Sequence, residues 1–339
     1  MSAPRLSDSQ PLEAKDTRRP AVKRRTFLSA IGLTLALPVG NVLAQGGRPI
    51  RMIVPLPAGT SNDYAARILT THVAQTLGQA IVVDNKPGAN GVIATMDIMR
   101  AAPDGMTLMC GSLSPLASNV AFVKNLPYEP LRNLTPIGGA TLTNHVLMVK
   151  ADSPIRTFAD FIAYAKQRPG KVSVGASTTI VQLQIASMNK LGGIQLMAIP
   201  YKGTPATISD VIGGVLDATL TDPGNALAQV KGGQLRALAV TSLKRNPATP
   251  DWPAISETLP GFDFPSWNAF VGPAGMSRAL VERISAAVIQ AQKRPDVTEQ
   301  LARQGMVPLI LRPDELKAYM DTEAKKYVRL AREANIQPE

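Results

Sequence analysis

Residues 51–63 have the sequence Arg51-Met-Ile-Val-Pro-Leu-Pro-Ala-Gly-Thr-Ser-Asn-Asp63. A β-prone run ends there in a loop of Pro, Gly, Thr, Ser and Asn, and apolar residues at helical spacing follow at Ala65, Ile68, Leu69 and Val73. Such a pattern predicts a strand, a loop and an amphipathic helix. The first turn of a helix has backbone N–H groups without partners, and these groups favour an anion. The stretch therefore predicts an α/β unit with an anion site at the helix start.

The same alternation of apolar runs and helical spacing continues along the chain. It is typical of an α/β fold in which helices flank largely parallel sheets. Strands are predicted at residues 50–55, 80–83, 107–110, 142–149, 171–175, 195–200, 216–221 and 235–241, and helices at 63–77, 277–292 and 313–334.

Composition limits the class of protein. The chain has 339 residues, enough for two lobes of ordinary size, and its 45% hydrophobic and 18% charged residues are typical of a globular protein. The net charge of +11 suits anionic partners, but basic residues are scattered and aromatic residues make up 4%, which disfavours nucleic acid. The single cysteine, Cys110, lies in a predicted strand and indicates a buried structural thiol.

Residues 1–44 have the features of an export signal. The basic run Lys23-Arg24-Arg25-Thr26-Phe27-Leu28 precedes the apolar residues 30–37, and we predict cleavage after Ala44. The paired arginines favour twin-arginine export, while ordinary secretion remains the alternative. No later stretch reaches the roughly 20 uninterrupted apolar residues of a membrane span. The chain is therefore expected in the periplasm.

Several short motifs resemble, in order, those of the Bug/TctC solute receptors of tripartite tricarboxylate transporters. Besides residues 51–63, which resemble the first ligand loop of that family, they are Lys86-Pro-Gly-Ala-Asn-Gly91, Ala102-Pro-Asp-Gly-Met-Thr-Leu108, Leu126-Pro-Tyr-Glu-Pro-Leu131, Pro200-Tyr-Lys-Gly203, Leu235-Arg-Ala-Leu-Ala-Val-Thr-Ser242, and Ser266-Trp267 before Gly272-Pro-Ala-Gly275.

The resemblance implies a two-lobed periplasmic-binding-protein type II fold, in which each lobe has a central, mainly parallel sheet flanked by helices. Lobe one is expected at residues 45–144 and 266–339 and lobe two at 145–265, with crossings near Asn144 and Ser266. It also implies a monomeric receptor that captures a small carboxylate-containing solute in the interlobe cleft and delivers it to membrane permease subunits. No cofactor or metal is expected.

Ligands of open α/β sheets lie beyond the carboxyl ends of strands. The resemblance implies that backbone N–H groups from one loop in each lobe hold a carboxylate of the solute there, with ordered water helping. Trp267, near the second crossing, is included as an aromatic that could cover the ligand. The predicted ligand-binding residues are Pro57, Gly59, Thr60, Ser61, Asn62, Ser112, Ser114, Ser177, Thr178, Thr179, Tyr201, Lys202, Thr221, Asp222 and Trp267.

Three departures from the family pattern leave the solute open. The double glycine of the first loop is Gly59-Thr60, and a run of hydroxyl residues is replaced by Thr179-Ile180-Val181-Gln182. The frequent Asp-Asn pair is Thr221-Asp222, which brings an acid near the cleft. The sequence does not distinguish between five classes of solute, which are a dicarboxylate, a tricarboxylate, an aromatic acid, an amino acid and an amide.

Other interpretations remain beside the receptor. Gly, Ser and Thr after a strand are commonly turn and cap residues only, and Lys202 is commonly solvated. An enzyme on the same scaffold needs a nucleophile or an acid/base pair, for which Cys110 and Asp222 are the candidates, while His72 and His145 lack metal-ligand spacing. A receptor that signals to a sensor protein would use the same closed lobes.

Overall fold

The computed structural model describes residues 47–334 and 336–338. The predicted export signal and its cleavage site at Ala44 lie outside these residues. The described residues form a mixed α/β structure with two sheets flanked by helices, which confirms the predicted fold class. Within this part of the chain, no helix is long and apolar enough to cross a membrane.

The sheet of lobe one has the strand order β11-β4-β10-β3-β1-β2. Strands β1, β2 and β3 are mutually parallel, whereas β10 runs antiparallel to both β3 and β4. Its strands are β1 (Ile50–Val54), β2 (Ile81–Asn85), β3 (Thr107–Ser112), β4 (Leu134–Thr143), β10 (Ser266–Pro273) and β11 (Val307–Pro308).

The sheet of lobe two has the order β7-β6-β8-β5-β9. Here β6 is parallel to β7 and β8, and β5 is antiparallel to β8 and β9. Its strands are β5 (Val146–Lys150), β6 (Val172–Ala176), β7 (Leu196–Pro200), β8 (Ala218–Thr221) and β9 (Leu235–Val240).

The sheets are more mixed than the expected mainly parallel ones. The reason is the way in which the chain changes sheets. Strand β4 ends at Thr143 and β5 begins at Val146, and the chain returns between Val240 and Ser266. A strand that starts at a crossing must run away from the edge where the other strands end, so β5 and β10 are antiparallel to their neighbours.

Helices follow most strands and carry the loops to the site. The predicted helices at 63–77, 277–292 and 313–334 agree with α1, α9 and α11 to within two residues. The helices are α1 (Ser61–Leu77), α2 (Val92–Met99), α3 (Asn119–Phe122), α4 (Pro130–Asn133), α5 (Phe158–Gln167), α6 (Thr179–Gly192), α7 (Thr204–Ile212), α8 (Pro223–Lys231), α9 (Arg278–Gln292), α10 (Pro295–Ala302) and α11 (Pro313–Glu333).

One strand prediction was wrong, and two central strands were missed in whole or in large part. The run 142–149 is not one strand, because Asn144 and His145 separate β4 from β5. Most of β4 and all of β10 were not predicted. Both strands pair over their full length in the centre of the lobe-one sheet, so tertiary pairing stabilises them where local sequence does not.

Asn246 ties the crossing segments together. Its Nδ2 donates to Gly305 O at 2.7 Å and to Asn144 Oδ1 at 2.8 Å, and its Oδ1 accepts the Ala248 N–H at 2.9 Å. Asn144 and Asn246 are both buried. Buried amides with satisfied hydrogen bonds fix local geometry, so this node sets how the two sheets meet.

Candidate functional site

The first loop leads from β1 into α1. Thr60 is the N-cap residue of α1: its backbone is extended, with φ −81° and ψ 161°, and its Oγ1 accepts the Asp63 N–H at 3.5 Å. Gly59 before it has φ +82°, a conformation that favours glycine. Thr60 therefore replaces the second glycine of the family motif at a position where the backbone is extended, a conformation that any residue can adopt.

Asp63 fixes the shape of this loop. It is 3% exposed and accepts hydrogen bonds from the Gly59 N–H at 3.0 Å, from Arg67 Nε and from Asn85 Nδ2. Burial raises its pKa, but the bonds from Arg67, Gly59 and Asn85 outweigh burial and lower the pKa below 3.8. Gly59 N–H is therefore occupied, which corrects the prediction that it donates to a solute.

The N–H groups of Ser61 and Asn62 remain available. Neither donates a hydrogen bond to another residue of the described chain. They belong to the first turn of α1, whose N–H groups have no intrahelical partner. The start of α1 thus has two backbone N–H groups without a hydrogen-bond partner among the described residues.

The side chain of Asn62 faces the lobe-one interior. Its Nδ2 donates to Cys110 O at 3.1 Å and to Asn268 Oδ1 at 2.8 Å, and Asn268 Nδ2 donates to Thr141 Oγ1 at 2.9 Å. Asn62 is 2% exposed, so a role in ligand binding is limited to its backbone. Its Oδ1 is buried and has no partner among the described residues.

Cys110 is fully buried beside Asn62. Burial raises the pKa of its thiol to about 12, against a smaller lowering by the hydrogen bond from Asn62. A thiol in this state is a poor nucleophile. The prediction of a buried structural thiol is confirmed. Two predicted site residues, Ser112 and Ser114, follow Cys110 at the end of β3 and just beyond it, and both are partly buried.

The second loop leads from β6 into α6. Thr178 is the N-cap residue, and its Oγ1 accepts the Val181 N–H at 3.3 Å. Within the described residues, the N–H groups of Thr179 and Ile180 donate to no other group. Ser177 Oγ lies 3.2 Å from Thr204 Oγ1, which links this loop to the start of α7. The aliphatic Ile180 and Val181 pack in the core.

The remaining lobe-two residues differ in what they offer. The Tyr201 hydroxyl donates to Asp210 on α7, and Lys202 is exposed. Thr221 is 1% exposed, and its Oγ1 has no partner among the described residues. Asp222 is the N-cap residue of α8, where its Oδ1 accepts the Asn225 N–H at 3.1 Å, as the Asp-Pro sequence indicates.

A cavity of about 180 Å³ lies between the two lobes. Gly59, Ser61 and Asp222 of the predicted site line this cavity. Four lining residues were not predicted. Tyr64 and Asn225 lie in the first turns of α1 and α8, which the capping residues Thr60 and Asp222 could have indicated. No local signal in the sequence marks Gln304. The unpredicted residues are Tyr64, Gly224, Asn225 and Gln304.

The lobes touch beside the cavity. A Cβ on Gly224 would lie 3.2 Å from Gln304 Oε1, and a Cβ on Gly305 would collide with Pro223. Gly224 and Pro223 belong to lobe two, and Gln304 and Gly305 follow α10 of lobe one. Glycine at these two positions therefore allows close approach of the lobes.

His145 lies at the crossing and is partly buried. Its Nδ1 is 3.0 Å from Gln184 Oε1 on α6. Burial lowers its pKa below 6.5 despite opposing effects of Gln184 and Asp222. The imidazole of His145 is therefore neutral at neutral pH. The described residues contain no group of three or more His, Cys, Asp or Glu side chains that could hold a metal ion.

Trp267 lies in the lobe-one core. Its side chain is 0% exposed, its Nε1 donates to Glu323 Oε2 at 3.2 Å, and its ring meets Tyr319 edge-on at 5.2 Å. The prediction that Trp267 covers a ligand was wrong, because β10 directs this side chain against α11. A buried indole with a satisfied N–H is a packing element.

Comparison with known proteins then defines the family. The model for the tripartite tricarboxylate transporter family receptor matches residues 65–336. The chain belongs to this family. One relative of the receptor is the protein BugT of Bordetella pertussis, 32% identical over 311 residues, which cover 91% of this chain and 94% of BugT.

Solved structures of similar proteins support the same assignment. The periplasmic binding protein BugD is 28% identical, with a TM-score of 0.74 over 86% of the receptor and 99% of BugD. Rpa4515 of R. palustris, solved with adipate, is 27% identical, with a TM-score of 0.79 over 86% and 99% of the two chains. MatC of Rhodopseudomonas palustris, solved with bound malate, is 27% identical, with a TM-score of 0.72 over 84% and 98%. The family and the fold are those of solute-binding receptors.

Proposed function

We propose that this chain is a periplasmic receptor that captures a small carboxylate-containing solute between its lobes. The observation that carries the proposal is the cavity between lobes, where the start of α1 faces the start of α8. Adipate and malate in two similar proteins support a carboxylate as the recognised group. Binding and release need no covalent chemistry.

Backbone donors hold the carboxylate in this proposal. The N–H groups of Ser61 and Asn62 contribute from lobe one, and those of Thr179 and Ile180 from lobe two. Each hydrogen bond to a charged group contributes about 1.5–3 kcal/mol before the cost of ordering the lobes. Four such bonds are sufficient for binding in the micromolar range, about 8 kcal/mol.

Closure of the lobes couples binding to transport. A solute that bridges residues 45–144 and 266–339 on one side and residues 145–265 on the other favours the closed state by its differential affinity. The closed form is the one that presents the solute to the permease subunits of a tripartite tricarboxylate-type transporter. Uptake of a radiolabelled solute that requires both this gene and the permease genes tests delivery.

Export completes the proposal. Residues 1–44 direct the chain to the periplasm, by the twin-arginine route, and are removed after Ala44. N-terminal sequencing of the periplasmic protein tests the cleavage site. Replacing Arg24 and Arg25 by lysines should block export by the twin-arginine route and leave ordinary secretion unaffected.

Ser61 and Thr179 allow a direct test of backbone binding. Each is the first residue of its helix, where proline is favoured because its missing N–H has no intrahelical partner. The residues before them, Thr60 and Thr178, are extended, as a residue before proline must be. Ser61→Pro and Thr179→Pro therefore remove one donor each without breaking the fold.

Calorimetry measures the binding of a panel of dicarboxylates, tricarboxylates, aromatic acids and amino acids to the wild type and to each variant. We expect at least one acid to bind, and each proline variant to weaken that binding about tenfold. Ser61→Ala and Thr179→Ala remove the side chain and keep the N–H, so they serve as controls. Absence of binding across the panel overturns the proposed receptor, and proline variants that bind like wild type overturn the backbone site alone.

A further inference from the structure

Asp222 gives the interlobe cavity an unusual charge. Among the lining residues that the structure describes, Asp222 is the single charged side chain, and the others contribute backbone, hydroxyl, phenol and amide groups. Within residues 47–334, no lysine or arginine lines the cavity. A cavity with these walls is electrostatically suited to a donor or a cation at the end of the solute that meets Asp222.

The carboxylate of Asp222 is not neutralised by the described residues. Its Oδ1 accepts the Asn225 N–H at 3.1 Å and its Oδ2 accepts Asn225 Nδ2 at 2.6 Å, and it forms no salt bridge within the described chain. A carboxylate has about four acceptor positions. Asp222 therefore has no cationic partner among the described residues and keeps part of its capacity to accept hydrogen bonds.

Nearby basic groups do not change this balance. His145 is neutral at neutral pH, and its Nδ1 bonds Gln184. Lys202 is exposed and does not line the cavity. A second carboxylate placed in the cavity would therefore face Asp222 without a counterion, and like charges in a partly desolvated site repel each other.

We infer that this receptor selects a compact monocarboxylate that carries an ammonium or amide N–H donor at its other end, and that it rejects a dicarboxylate of the same length. The inference rests on the function proposed above, with the carboxylate at the start of α1 and the donor at Asp222, on the two sides of the cavity. Gln304 and Asn225 supply further polar groups beside the donor. The cavity of about 180 Å³ is below the roughly 300–1,000 Å³ of common ligand pockets, which fits a small solute.

Matched solutes test the selection. Calorimetry compares succinate with 4-aminobutanoate and succinamate, and adipate with 6-aminohexanoate, so that only the distal group changes. We expect at least one solute with an N–H donor to bind about tenfold or more tightly than its dicarboxylate. Tighter binding of the dicarboxylate in both series overturns the inference and leaves the proposed receptor intact.

Asp222→Asn identifies the source of the selectivity. Asparagine is an equally good N-cap residue, so α8 is retained, while the charge is lost. The preference for the donor should fall about tenfold or reverse in this variant. Asp152→Asn, an exposed acid of lobe two paired with Lys150, is the matched control and should keep the wild-type preference. An unchanged preference in Asp222→Asn overturns the role of Asp222. Absence of binding of any solute to the wild-type protein overturns the proposed receptor together with the inference.

Discussion

The Gly59 N–H donates to Asp63 Oδ2 at 3.0 Å, so the carboxylate of the first helical turn closes the loop that precedes its own helix. This bond explains why an acid is compatible with an anion site. Asp63 also pairs with Arg67 and is buried, so its charge is already neutralised before a solute arrives. The N–H groups of Ser61 and Asn62 are left for the solute.

Asp63→Asn should destabilise the protein by about 1–3 kcal/mol, because Arg67 loses its buried partner and the donors around Asp63 lose a charged acceptor. The folded pKa of Asp63 is lower than 3.8, so its stabilisation is complete above that value and is lost as the pH falls through the folded pKa. Urea denaturation of both proteins at neutral pH and below about pH 4 measures the difference.

The stability gap between wild type and Asp63→Asn should therefore narrow on acidification. Asp152→Asn is the control, because Asp152 is 74% exposed and should change stability little at any pH. A gap that stays constant from neutral to acidic pH would show that the charge of Asp63 is not what holds the loop.

Gly305→Ala should weaken solute binding more than it weakens the fold. The new Cβ collides with Pro223 across the lobe contact, which disfavours the closed arrangement. Gly305 also has φ +66°, so alanine there costs about 1–2 kcal/mol of backbone strain by itself. We expect affinity for the best solute of the panel to fall about tenfold or more, because apparent affinity scales with the competent fraction.

Gly233→Ala separates strain from lobe contact. Gly233 has φ +65°, and a Cβ there meets no atom within 4 Å. Both variants should lose similar stability in urea denaturation, and only Gly305→Ala should lose affinity in calorimetry. Equal affinities for the two variants would mean that the contact between Gly305 and Pro223 does not control closure.

Trp267→Phe should lower stability and leave solute binding within about twofold of wild type. Removal of Nε1–H takes a donor from the buried Glu323, a loss of about 1.5–3 kcal/mol for a hydrogen bond to a charged group. The protein has one other tryptophan, Trp252, which is partly exposed. The difference in emission between wild type and Trp267→Phe is therefore the fluorescence of Trp267. The signal lost in Trp267→Phe should be blue-shifted and resistant to acrylamide, and a strong loss of affinity would return Trp267 to the ligand site.

The sequence predicts local units well because their signals are local. The loop from β1 to α1 follows from a β-prone run, a Gly and an apolar stripe, and the N-cap at Asp222 follows from the Asp-Pro pair. Strand β4 was missed for a physical reason. It contains Pro136, Gly138 and Gly139, which are turn residues elsewhere. Gly139 is required because a Cβ would collide with Leu309 O, a contact that only the folded chain reveals.

The candidate site shows the same division. Ser61 and Thr179 follow from the family resemblance and from their place after predicted strands, where ligand loops lie. Gln304 does not, because it reaches the cavity only when the last part of the chain returns to the lobe-one sheet through β10. Trp267 was misassigned because spacing in the sequence does not give the direction of a side chain in an unpredicted strand.

Cys110 should be inert toward thiol reagents in the native protein. Its side chain is 0% exposed and burial raises its pKa to about 12, so neither access nor thiolate is available at pH 8. Reaction with a chromogenic disulfide then requires unfolding, and its rate should be about a thousandfold or more below that of the chain in guanidinium chloride. The denatured protein is the control and should show one reactive thiol, the number of cysteines in the sequence. Rapid reaction of the native protein, slowed by the best solute of the panel, would instead place Cys110 at the cleft and revive an enzymatic role.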